Sequence, residues 1–172
     1  MAGKYILDTH ALIWYLEGNR RLGTQAQQIM DDFNNELILP VIALAEAIHI
    51  VDRGRTGIPS TSDLMQGVAD APHLEIAALT WPILQQSLRA TAVPEMHDRL
   101  IVATALHLQA HGHEVWMVTR DKEVSVAAVE DWIVIDTKSG LDETTEVIEV
   151  AVVNVAGSRT AFLKKPRLRW RP

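Results

Sequence analysis

Apolar residues in this chain fall into short, nearly unbroken runs, separated by longer stretches in which they recur every three or four positions. The short runs predict strands over residues 5–7, 36–39, 74–79, 114–118 and 132–135. The periodic stretches predict helices near 10–17, 22–33, 41–52, 61–70, 82–90, 97–111 and 122–130. Strands that alternate with helices imply a mostly parallel sheet covered on both faces, so the predicted class is α/β. Right-handed crossovers leave few topologies for it. The segment from Gly54 to Ser60, with Gly57 and Pro59 inside it, reads as a flexible connection.

The pattern changes after Asp136. Residues 137–142 resemble a linker, 145–155 are rich in β-branched residues and alanine, and Gly157-Ser158 can turn the chain into 159–163. The expected division is therefore a domain over 1–136 and an extension over 137–172, a hairpin followed by a basic end.

Composition narrows the classes. The chain has 172 residues, and a hydrophobic content of 48% is enough for a real core. With no cysteine, disulfides and thiolate metal sites are excluded. The longest apolar runs are about ten residues, too short to span a bilayer, and the N-terminal apolar stretch stops at Asp8, which is unlike a secretory signal. A soluble, cytoplasmic protein is expected. The net charge of −6 is unevenly spread. Residues 159–172 carry Arg159, Lys164, Lys165, Arg167, Arg169 and Arg171 and no acid, and removing those six charges leaves −12 on residues 1–158. So acidic a body is ill suited to unaided nucleic-acid binding, which depends on neutralising phosphates. It suits carboxylates gathered around divalent cations.

Glu46 is the sharpest local signal. It is the only charged residue in the run from Leu39 to Val51, and Ile42, Ala43, His49 and Ile50 lie three or four positions from it. A helix apolar nearly all round is expected to be buried, and a carboxylate there must be met by something. No lysine or arginine lies within helical reach, so the partner must come from elsewhere, and a bound metal is one candidate. Asp8 and Asp121 follow the first and fourth predicted strands, where ligand sites of open parallel sheets form. Each also fits an ordinary helix cap. Asp98 opens a helix uncharged from Leu100 to Leu108, with Ile101, Val102 and Ala105 on its face. Four acids converging above one sheet would repel one another. A hard divalent cation such as magnesium would resolve this, and two such ions can support in-line phosphodiester hydrolysis, one polarising a water and the other stabilising the departing oxygen.

Other residues invite weaker readings. His107 and His111 have ligand spacing on one helix but no third ligand in a recognisable pattern, and His111 and His113 flank Gly112 as at a helix end. Glu46 and His49 share the spacing of di-iron bundles, without the second copy such sites need. His10 and His97 each neighbour an acid of the four. Trp14, Trp81 and Trp116 sit in apolar stretches and are expected in the core, whereas Trp170, amid arginines, suits base stacking. Arg99, Arg120 and Lys122 flank the aspartates and are the candidate phosphate contacts.

The stretches Leu7 to Trp14, Ala43 to Ile48, His97 to Ala105 and Val118 to Asp121 together resemble the PIN-domain ribonucleases, in order and spacing, across roughly residues 4–136. The first and third look most like the toxin subunits of VapBC-type toxin–antitoxin pairs. The resemblance implies a three-layer sandwich whose parallel sheet has strand order 3-2-1-4-5, with Asp8 and Asp121 side by side. It implies that Asp8, Glu46, Asp98 and Asp121 are catalytic and bind Mg2+ or Mn2+, that Thr9 and Thr119 lie just behind them, and that RNA is cut. It also implies a cognate antitoxin and a homodimer. Where many such toxins carry His-Arg-Asp-Pro before the third acid, this chain has Pro94-Glu-Met-His-Asp98, and residues 137–172 have no counterpart.

Two other functions compete. A phosphatase-like hydrolase with a strand-end nucleophile would want Asp-x-Asp after the first strand, and Asp8-Thr-His10 lacks the second aspartate. A non-catalytic RNA-binding or assembly module would have no reason to keep four costly acids together.

Overall fold

The computed structural model describes residues 3–119 and, at the level of the backbone, Val134 and Ile135. In chain order the elements are β1 (Lys4–Leu7), α1 (Thr9–Leu16), a 3-10 turn (Arg20–Leu22), α2 (Thr24–Asp31), β2 (Glu36–Pro40), α3 (Val41–Asp52), α4 (Thr61–Ala69), β3 (Leu74–Ala77), α5 (Trp81–Ser87), α6 (Met96–Ala110), β4 (Val115–Val118) and β5 (Val134–Ile135). The five strands are parallel and lie in the order β3-β2-β1-β4-β5. The predicted helix over 122–130 and the division at 136 lie outside the described residues.

β1 is central because it is apolar where it matters. Ile6 and Leu7 are fully buried, as are Leu37 and Leu39 of β2 and Val115 and Val118 of β4. Each such side chain contributes about 1.5–3 kcal/mol relative to leaving it in water. From α6, Ile101 and Ala105 join them, and that helix packs against α3, β1 and β4. The sheet reverses direction of winding at β1: β2 and β3 lie to one side, β4 and β5 to the other. Leu7 stands opposite Val118, and the Asp8 N–H donates to the Val118 carbonyl at 3.1 Å. The carboxyl ends of β1 and β4 are thus held level, and the side chains that follow them meet.

Several boundaries differ from the periodicity. The helix expected over 22–33 is broken at Gly23, whose φ of 75° no helical residue adopts, leaving a 3-10 turn before α2. Pro40 is the last residue of β2 and the cap position of α3, so strand and helix join with no loop. α3 is not buried all round: Val41, Ala45 and His49 form an exposed stripe, and Glu46 is half-buried. Trp14 is in the core, but Trp81 is 70% exposed, against expectation. It shares the outer face of α5 with Leu84, while Ile83 and Ser87 turn inward. Trp116 is half-buried and stacks on Tyr5 with ring centroids 6.2 Å apart. Among the described residues no helix is long and apolar enough to cross a membrane.

Candidate active site

The site is built at the carboxyl end of β1. Asp8, only 6% exposed, ends the strand and caps α1, its Oδ1 accepting from the Ala11 N–H at 2.6 Å. The cap reading and the functional reading of Asp8 are compatible, since the cap fixes the carboxylate where the two central strands end. Thr9 follows, 2% exposed, and its hydroxyl donates to Glu46 Oε2 at 2.6 Å, with the Ala43 carbonyl farther away at 3.4 Å. α1 and α3 are packed together, so this hydrogen bond fixes Glu46 beside the end of β1.

The partner that the sequence demanded for Glu46 is therefore in part a hydroxyl. Glu46 is only half-buried, on a helix whose stripe of Val41, Ala45 and His49 is exposed, so its carboxylate does not demand a cation as partner. Neither ion pair among the described residues, Lys4 with Glu36 and His97 with Glu95, involves Glu46.

Asp98 is half-buried in the first turn of α6. It does not cap that helix. Glu95 does, its Oε2 accepting from the N–H groups of His97 at 2.5 Å and Asp98 at 3.1 Å. The His97 ring lies 3.1 Å from the other Glu95 oxygen. Burial works to raise the Glu95 pKa, but the Asp98 and His97 N–H groups and the His97 imidazole outweigh it and hold the carboxyl below its usual value. Nothing in the sequence singled out Glu95, since glutamate is an uncommon cap.

Thr119, 1% exposed, follows β4 next to Asp8. Asp121, Arg120 and Lys122 lie outside the described residues. Arg99 donates from Nε and Nη2 to the Val93 carbonyl at 2.9 and 2.7 Å, tying α6 to the preceding loop. His10 leans on Trp14 with ring centroids 5.7 Å apart. His107 and His111 meet with tilted rings at the far end of α6, where burial, and then the charge of His111, lower the pKa of His107.

The structure thus joins Thr9 to Glu46 next to Asp8, and puts Asp98 on a helix packed against both α3 and β1. Among the described residues no three acids or histidines close into a complete cation cage. The donors present are all carboxylate oxygens, held at or below the surface, which is the chemistry a hard divalent cation takes. Asp8 and Glu46 are the carboxylates that their hydrogen bonds with Ala11 and Thr9 fix at the end of β1.

A doubly wound parallel sheet with acids after its central strand defines the class of protein. Residues 5–130 match the family described as PIN domain, and the chain belongs to that family. Among solved structures, it is similar to a toxin–antitoxin complex from Klebsiella pneumoniae, at 20% identity over 75% of this chain and 93% of that one, with a TM-score of 0.51. It is also similar to VapBC2 from Rickettsia felis, solved bound to a DNA fragment from its promoter, at 14% identity over 78% of this chain and 99% of that one, with a TM-score of 0.57. At such identities the likeness is one of fold. No curated protein matches the chain.

Proposed function

We propose that this PIN-domain chain is a divalent-metal-dependent endoribonuclease, the toxin of a type II toxin–antitoxin pair. The reading is carried by one observation above the rest: Thr9 ties Glu46 to the strand end at which Asp8 is fixed. Asp8, Glu46, Asp98 and, beyond the described residues, Asp121 would hold one or two Mg2+ or Mn2+ ions. Bound there, such ions supply a polarised water and charge stabilisation for the departing oxygen.

The chain's own residues do the positioning. At the α1 N-terminus the Ala11 N–H donates to the Asp8 carboxylate, so its orientation is set before any ligand arrives. The Thr9 hydroxyl occupies one lone pair of Glu46 Oε2 and leaves the remaining carboxylate lone pairs to take a cation. Glu95 keeps the first turn of α6 wound, and with it the backbone that carries Asp98. Thr119 packs behind the end of β4. Arg120 and Lys122 are the proposed phosphate contacts, and Arg99 could join them only through the N–H groups that Val93 does not use.

The substrate proposed is single-stranded RNA, with a cognate antitoxin as inhibitor, a homodimer as the working form and the cytoplasm as its place. The two solved complexes named above favour an antitoxin partner. The test is incubation of antitoxin-free protein with a mixed RNA pool in magnesium, manganese or EDTA. Cutting that needs metal supports the reading. RNA bound but left intact under every condition overturns it in favour of a non-catalytic RNA-binding module.

A further inference from the structure

The carboxyl end of α6 carries a second group of metal-type ligands, unrelated to the acids. His107 and His111 are four residues apart on that helix, so their rings share a face, and the ring centroids are 4.3 Å apart at a tilt of 56°. His111 Nδ1 lies 2.7 Å from the His107 carbonyl oxygen. A carbonyl only accepts, so Nδ1 carries the hydrogen, and Nε2 keeps an available lone pair. A ring N–H held on a backbone carbonyl is the arrangement that orients metal-ligating histidines. His107 is half-buried and His111 exposed, so the pair is anchored at one ring and open to solvent at the other.

The position adds a favourable field. His111 caps the helix, whose aligned peptide dipoles make the carboxyl end electronegative and draw a cation. It lies thirteen positions along the chain from Asp98, roughly 20 Å at the rise of an α-helix.

We propose that His107 and His111 form a two-imidazole site for a borderline transition-metal ion, Zn2+, Ni2+ or Cu2+, at the carboxyl end of α6. Among the described residues no third histidine, aspartate or glutamate joins them in a metal-binding group, so water completes the coordination. Imidazole nitrogen favours these ions over magnesium, which takes oxygen. The two sites therefore differ in ligand class as well as in place, and this one does not rest on the nuclease reading. Both ligands come from successive turns of one helix, so the ion binds only the wound helix and stabilises it.

The experiment is titration of the whole chain with NiCl2 in excess Mg2+, read by calorimetry and by the imidazole resonances of each histidine. Wild type, His107→Ala, His111→Ala and His49→Ala are compared, with circular dichroism confirming that each is folded without metal. His111 is exposed, so its variant keeps the test sound if His107→Ala unfolds. The expected result is one equivalent of Ni2+ that perturbs His107 and His111, raises the melting temperature and binds at least tenfold more weakly in His111→Ala, while His49→Ala binds as wild type. Equal Ni2+ affinity in wild type and His111→Ala, or no perturbation of the two rings, would overturn the proposal.

Discussion

Replacing Thr9 by valine removes one hydroxyl and little else, which makes it the sharpest probe of how Glu46 is held. The side chain is nearly fully buried and its Oγ1 lies 2.6 Å from the Glu46 carboxylate, so valine fills the space but cannot donate. A hydrogen bond to a charged acceptor is worth about 1.5–3 kcal/mol. Glu46 is only half-buried, so water can meet the carboxylate from the open side and recover part of that. A net loss of about 1.4 kcal/mol corresponds to roughly a tenfold drop in rate. The loss should appear in kcat for RNA cleavage at saturating Mg2+, with KM little changed, because the hydroxyl positions a carboxylate and does not touch substrate. Thr9→Ser, which restores the donor, should recover most of it. If Thr9→Val cleaves as fast as wild type while Glu46→Gln is inactive, Glu46 needs no help from Thr9, and the reasoning fails.

Two further predictions concern α6. Glu95→Ala should cost about 1 kcal/mol through loss of the cap, seen as a lower melting temperature. Because the folded-state pKa of Glu95 lies below its usual 4.5, the stability it supplies is fully present above that value and is lost as pH falls through the lower folded value. The difference between wild type and variant in melting temperature should therefore shrink in acid. Gly112, with φ of 83°, ends the helix in a conformation costly for any other residue, and Gly112→Ala should lower stability by about 1 kcal/mol in a urea melt.

Much of this molecule could be read before its structure. The switch from unbroken apolar runs to three- and four-residue periodicity marked β1, β2, β4 and the helices around them. Asp8 and Asp98 were visible because each stands at the edge of a long uncharged run. What periodicity does not say is which apolar faces are covered. Val41, Ala45 and His49 of α3 look like core and form an open stripe, so Glu46 is less deeply buried than the apolar run implies. Trp81 was misplaced for the same reason: α5 is short and presents an apolar residue outward. The strand order came from the family resemblance, since the pattern alone leaves several right-handed windings open. The Thr9–Glu46 bond joins residues 37 apart, and the Glu95 cap uses an unusual residue, so neither had a local signature.

The most direct test of the central claim is the Mg2+ dependence of single-turnover RNA cleavage in wild type, Asp8→Asn, Glu46→Gln and Asp98→Asn. Asparagine caps a helix as well as aspartate, so Asp8→Asn keeps α1 wound while removing the charge. Glutamine at 46 can still accept from Thr9. These variants separate charge from architecture. The account predicts saturable activation of wild type by Mg2+ and a loss of about 100-fold or more in each folded variant, as when a group central to catalysis is removed. Cleavage that ignores Mg2+ or survives in Asp8→Asn would contradict it.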